Sequence, residues 1–252
     1  MKREEEEEDD DDDMVWLDES FFINDDYKMS TFSFGSQVIH LLCLQSASTD
    51  YDLTGQLVWP GAVLLNNYLS NNTAILQGCS IIELGSGVVF KSFLVVEGVT
   101  GILCSRFCHE ILLTDHNEQV LKILKKNIEL QPSHENHTNY AGLAAEKLEW
   151  GNVDDLSLIL QRYPRGFDLI LGADIYFQQS SIPPLFTTVE RLLRHRGAAG
   201  SKFILAYVSR AKTMDVMVLN EAVKHGLQVR EVEGTRSVVS NLEGVIFEIK
   251  LL

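Results

Sequence analysis

Apolar and polar positions along the chain switch between two periods, and the switches divide it into short alternating elements. Continuous apolar runs of strand length occur in CSIIELGSG (79–87), EILLTD (110–115), FDLILGAD (167–174) and KFILAYVSR (202–210), the pattern of strands buried on both faces. Helical spacing intervenes. Val120, Leu121, Leu124 and Ile128 recur along one face behind Asn117, whose short amide can cap a helix start. Pro60 stands in the first turn of a helix through GAVLLNNYL, where its missing N–H is tolerated. TGILCSRFC (100–108), DDLSLILQRY (154–163), the segment from Ser181 through Leu193 and TMDVMVLNEAVKHG (213–226), closed by Gly226, predict further helices. AAEKLEW (144–150) predicts a short strand, and FSFGSQVIHLLCLQ (32–45) and YDLTGQLVW (51–59) predict extended N-terminal strands. LQVREVEG (227–234) and GVIFEIKLL (244–252) predict two closing strands with a short connection.

Strand and helix in alternation predict an α/β domain with a largely parallel sheet. The final pair lacks a crossover helix, so it is expected to be antiparallel and to adjoin the sheet edge. The domain is expected over 32–252, behind an acidic, disordered tail and linker at 1–31.

Charge changes the picture at one end only. The 252 residues carry a formal charge of −15, of which residues 1–13, with ten consecutive acids from Glu4 to Asp13, contribute −8. Neither the tail nor the mildly acidic body suits a sequence-independent nucleic-acid binder, which needs a basic surface. No run approaches the roughly 20 apolar residues of a membrane span, and the N-terminus lacks a signal-peptide pattern. Cys43, Cys79, Cys104 and Cys108 read as reduced thiols without metal-ligand spacing, pointing to the cytoplasm or nucleus.

Candidate chemistry begins at Glu83-Leu84-Gly85-Ser86-Gly87, a glycine turn at the end of a core strand, where open α/β sheets bind ligands. The next strand ends in Asp115, an acid suited to ribose hydroxyls, but Gly87 to Asp115 is 28 residues where about 20 are expected. Residues 89–97, VFKSFLVVE, account for the excess. Without them the sequence reads ELGSGVGVTGIL, a complete E-x-G-x-G-x-G turn, and the spacing becomes 19. We therefore expect 89–97 to be an in-frame insertion of nine codons, as an alternative splice site produces. The acid two residues before the first glycine, the repaired glycine pattern and the closing strand pair point to S-adenosyl-L-methionine rather than a dinucleotide, whose G-x-G-x-x-G lacks its third glycine here.

At this point the chain resembles the seven-β-strand protein-lysine methyltransferases of methyltransferase family sixteen. The matching residues span about 32–252: Val58-Trp59-Pro60, Glu83 to Gly87, Thr114-Asp115, Leu148-Glu149-Trp150-Gly151, and Phe167 to Phe177 with Asp174-x-x-Phe177. The resemblance implies a seven-stranded Rossmann-like sheet, mostly parallel, with an antiparallel C-terminal strand and additional N-terminal strands and helix. It implies that Trp59, Glu83, Gly85, Ser86, Gly87, Asp115, Trp150 and Ala173 bind the cofactor, with no metal. It also implies that Asp174 orients an acceptor amine while Tyr176 and Phe177 line its channel. The substrate is then a protein, a chaperone or translation factor by family resemblance. Asp168 reads as a structural loop acid. Two other readings stay open: a small-molecule methyltransferase, and a non-catalytic, partner-binding isoform whose cofactor turn residues 89–97 disrupt.

Overall fold

A computed structural model describes residues 27–44, 58–87, 98–131, 141–175, 178–197 and 200–252. Among them the chain runs β1 (Tyr27–Phe34), β2 (Gln37–Leu44), α1 (Pro60–Asn71), β3 (Ser80–Leu84), α2 (Val99–Cys104), β4 (Glu110–Asp115), α3 (Glu118–Glu129) and β5 (Gly142–Lys147). It continues through α4 (Val153–Arg162), β6 (Leu169–Ala173), α5 (Ile182–Arg196), β7 (Lys202–Val208), α6 (Lys212–Lys224), β8 (Leu227–Glu231), β9 (Ser237–Val239) and β10 (Leu242–Leu251). The expected acidic tail and the 89–97 segment lie outside the described residues.

The main sheet has the order β5-β4-β3-β6-β7-β10-β8, with β9 added beside β10 as an eighth strand. The first five strands in that order are mutually parallel, and β10 is antiparallel to both its neighbours. Helices cover both faces, so successive strand residues enter opposite cores. Ile81, Ile111, Leu169 and Leu171 pack with α1, α2, α3 and the β1–β2 hairpin. Ile82, Leu112, Ile170 and Phe203 pack with α4, α5 and α6. That double burial is why the strands read as unbroken apolar runs.

Three expectations are corrected. The stretch 32–45 is not one strand but most of an antiparallel hairpin that starts at Tyr27 and turns between Phe34 and Gln37, with Gly35 at φ 57°. The helix expected over 100–108 ends at Cys104. Beyond it the chain turns to enter β4 beside β3: the Phe107 carbonyl accepts from Gly78 N at 3.3 Å and His109 N donates to Cys79 O at 2.9 Å. The closing pair is antiparallel and adjoins the edge of the parallel strands, as expected: β10 pairs with β7 and β8 with β10. β10 lies between β7 and β8 because it is the more apolar strand: Val245, Ile246 and Ile249 are buried, whereas Leu227 is the sole buried residue of β8. Of the predicted strand 51–59, residues 51–57 lie outside the described set, and Val58 and Trp59 are not in a strand.

Helix starts follow the sequence closely. Asn117 accepts from Gln119 N at 2.8 Å and Val120 N at 3.3 Å, and Asn152 accepts from Asp154 N and Asp155 N to start α4. Asp168 has the expected structural role: it accepts from Ser80 N at 2.9 Å and pairs with Arg196, tying β6 to β3 and α5. Burial pushes the Cys108 thiol up to about 12 and the Cys104 thiol well above its ordinary value, consistent with cysteines acting as apolar core. No helix among the described residues is long and apolar enough to cross a membrane.

A buried amide helps fasten the hairpin to the domain. Asn127 of α3 accepts from Leu42 N at 2.7 Å and donates to Leu42 O at 3.2 Å. Asn127→Ala strands both backbone groups, so it is expected to destabilise the fold by about 2 kcal/mol in urea titration. A loss below about 0.5 kcal/mol, the range of an ordinary surface change, would show that the clamp contributes nothing.

Candidate active site

The winding reverses at β3, since β4 and β5 extend the sheet one way and β6 and β7 the other. A reversal of this kind opens a crevice at the carboxyl ends of the strands. Gly85 leads the chain out of β3 with φ 63°, a left-handed conformation natural to glycine. A Cβ there would stand 3.1 Å from Ile175 Cγ2 and 3.2 Å from Trp150 Cζ2. The turn is therefore closed in by the residues that follow β6 and β5, and no side chain fits between them.

Ser86 and Gly87 connect this turn to β4. Ser86 N donates to Thr114 O at 2.9 Å, its Oγ accepts from Thr114 N at 3.2 Å, and its carbonyl accepts from Gly98 N at 2.8 Å. The polar atoms of Ser86 are thus engaged within the fold, and its place in the site is to hold the turn. Gly87 N donates to Asp115 Oδ2 at 3.2 Å. Asp115, at the tip of β4, is almost completely buried, and its Oδ1 accepts from Asn117 N at 2.9 Å. Burial raises its carboxyl above the usual range, opposed by these backbone donors and by His116.

Glu83 is also sealed inside the fold. Its Oε2 accepts from Gly101 N at 3.1 Å and so fastens α2 to β3. Burial lifts its carboxyl to about 7 against the Gly101 hydrogen bond. The two glycines of α2 pack where no side chain fits. A Cβ at Gly101 would lie 2.1 Å from Leu113 Cδ2, and one at Gly98, with φ 76°, would lie 2.8 Å from Leu124 Cδ2. Gly98 follows the 89–97 segment and completes the repaired motif, and Gly101 lies in the helix start beyond it.

On the other side of the crevice, Ala173 ends β6 and Asp174 follows with φ 58°. The Asp174 carboxylate is buried. It accepts from Gly61 N at 3.2 Å and forms a two-point pair with Arg210, whose Nη1 donates to Oδ1 and Nη2 to Oδ2 at 2.8 Å. The Arg210 guanidinium lies 5.7 Å from the Trp59 ring centre, and Trp59 precedes Pro60 at the start of α1. The acid that the resemblance gives an amine-orienting role thus carries a guanidinium partner, Arg210. Tyr176 and Phe177 lie outside the described residues.

The structure brings Gly85, Trp150, Asp115 and Gly87 together directly, and links Ala173, Asp174 and Trp59 to them through Ile175 and Arg210. Sequence reasoning missed Gly61 and Arg210. Gly61 sits unmarked inside a helical pattern, and Arg210 lies 36 residues from its partner with no periodicity to signal the pair.

Residues 41–222 match a protein family described as lysine methyltransferase. The protein N-lysine methyltransferase METTL21A of Mus musculus is 30% identical over 168 residues, 65% of this chain and 65% of that protein. The EEF1A lysine methyltransferase 3 of Xenopus tropicalis is 29% identical over 135 residues, 54% of this chain and 51% of that protein. The chain thus spans less than two thirds of either relative. A methyltransferase of solved structure from Pyrococcus furiosus has the same fold, with a TM-score of 0.50 at 16% identity, covering 81% of this chain and 88% of that one.

Glu83 makes the site's support sensitive to pH. Its folded value of about 7 lies above the ordinary 4.3 of an unfolded glutamate, so the folded state holds the proton more tightly and loses stability as pH rises between the two. Glu83→Gln keeps an acceptor for Gly101 N and cannot ionise. The Tm of this variant relative to wild type is therefore expected to climb by a few degrees from pH 5 to pH 8. A difference that stays flat across that window would place the carboxyl's titration elsewhere.

Proposed function

The chain belongs to the lysine methyltransferase family, and from that premise we propose that it transfers a methyl group from S-adenosyl-L-methionine to a lysine side chain of another protein. The observation that carries this reading is the convergence, at the winding reversal, of the Gly85 turn, the buried Asp115 carboxylate and the Asp174–Arg210 pair. The residues fit the cofactor. Asp115 retains acceptor capacity for a pair of ribose hydroxyls beyond its bonds to Gly87 and Asn117. Gly85, at φ 63°, lets the chain turn sharply at the strand end where a ligand binds.

When bound, S-adenosyl-L-methionine supplies an electrophilic methyl group on a positively charged sulfur. Trp59 and Trp150 offer large apolar surfaces to the adenosine, and Asp115 fixes the ribose. Glu83 and Ser86 act behind the turn, holding α2 and β4 in place. Alignment of two reactants contributes several kcal/mol to such a reaction without a metal or a strong acid. Tyr176 and Phe177 follow Asp174 and line the channel for the lysine stem in this reading. An apolar channel also disfavours the ammonium form of a lysine, whose ordinary pKa is about 10.4. The name of the Xenopus relative gives EEF1A as its substrate, and a translation factor is the substrate class we favour.

Incubation of the purified protein with cell lysate and labelled S-adenosyl-L-methionine is expected to label a discrete protein band, with the label recovered as methyl-lysine. Asp115→Ala is expected to weaken S-adenosylhomocysteine binding at least tenfold, about 1.4 kcal/mol, and to abolish the labelling. Recovery of the label as methyl-arginine, or in small molecules alone, would overturn the assignment.

A second reading concerns residues 89–97, and one contact favours it. Gly98 N donates to Ser86 O at 2.8 Å across that segment. With 89–97 removed, Ser86 and Gly98 stand three residues apart, the separation a β-turn closes with this same bond. We infer that 89–97 is an in-frame insertion into a tight turn, and that the form carrying it has a weakened cofactor site. The expected result in calorimetry is at least tenfold tighter binding of S-adenosylhomocysteine after deletion of 89–97. Equal affinity in the two forms would dismiss the weakened site.

A further inference from the structure

Arg210 follows β7 and covers the acid at the end of β6. In the pair the Asp174 side chain is 1% exposed and that of Arg210 27%, so the guanidinium stands between the carboxylate and solvent. Asp174 leads directly into Ile175, which touches the Gly85 turn, so the pair borders the crevice. Asp215 and Tyr207 are ionisable groups that also lie near it. Asp215 accepts from Ser209 Oγ at 2.9 Å and from Tyr207 Oη, and burial raises the Tyr207 phenol, so that phenol stays neutral. Removing Arg210 would leave the carboxylates of Asp174 and Asp215 at this corner without its charge.

That charge balance matters to the chemistry. A lysine accepts a methyl group only as the neutral amine, and a carboxylate close by stabilises the ammonium instead. An acid placed to orient the amine therefore opposes the reaction unless its own charge is cancelled. We propose that Arg210 is a positioning residue that neutralises Asp174 at the edge of the crevice, so that the crevice receives a neutral amine and does not trap a cation. Two-point pairing suits the task, because it fixes the carboxylate plane while cancelling its charge. The contact with Trp59 holds the guanidinium in register with the start of α1. This proposal rests on the methyltransferase reading of the site.

The test compares two ligands of known charge by calorimetry. S-adenosylhomocysteine has a neutral sulfur, and its analogue sinefungin carries an amine where the transferred methyl group would be. In Arg210→Met the preference for sinefungin over S-adenosylhomocysteine is expected to rise by about tenfold, since a bare carboxylate then faces the ammonium. Arg210→Lys keeps the charge and is expected to retain most of the wild-type ratio. Asp174→Asn leaves the guanidinium uncompensated and is expected to move the ratio the opposite way. A merely structural Arg210 would weaken both ligands in parallel, and an unchanged ratio in Arg210→Met would overturn the proposal. If that variant fails to fold, the Asp174→Asn ratio decides: a fall supports the proposal and no change overturns it. Wild-type protein that binds neither ligand would instead remove the methyltransferase reading, and this proposal with it.

Discussion

The carboxylate of Asp174 fixes the relation between the sheet and the helix that precedes it. α1 begins at Pro60, and its own N-cap residue, Trp59, supplies no side-chain acceptor. The carboxylate at the end of β6 takes that place by accepting from Gly61 N, where the positive end of the helix also favours an anion. An unpaired charge so deeply buried would cost several kcal/mol, and Arg210 offsets that cost from the far side. The approach is too close for any residue but glycine at 61, since a Cβ there would lie 2.5 Å from that of Asp174. Trp59 is placed by this arrangement, directly before Pro60 and beside Arg210.

Much of the domain was legible because its signals are local. Strands buried on both faces write themselves as apolar runs, and helix starts write themselves as Asn117 and Pro60. Asp115 was legible because it ends such a run, and the glycines because a sharp turn admits little else. What depended on partners far along the chain was hidden. Glu83 and Ser86 read as ligand contacts, yet their side chains serve α2 and β4, through bonds to Gly101 and Thr114. The pairing of Asp174 with Arg210, the close approach of Gly61 and the clamp by Asn127 each join elements that no periodicity connects.

The glycines divide the labour of the cofactor turn in a way that survives the long segment between them. Gly85 is needed because Trp150 and Ile175 leave no room, and Gly98 and Gly101 because α2 lies against Leu113 and Leu124. The first duty belongs to the crevice and the other two to packing. The packing contacts of Gly98 and Gly101 are formed in a chain that carries ten residues between Gly87 and Gly98, because loop length costs little closure entropy.

The place of β10 bears on how the molecule comes into being. β8 has a single sheet neighbour, β10, and β10 is the last described strand to leave the ribosome. Until then β8 has no ladder to join, and the outer side of β7 is an open edge, apolar on both faces. The parallel half of the sheet can assemble during synthesis, but its closure waits for the final strand to slot between two that are already present. A nascent chain stalled before Leu242 would display an unpaired, aggregation-prone edge. Quality control by chaperones therefore has most to guard before β10 is made, when Gly85, Asp115, Asp174 and Arg210 are already in the chain.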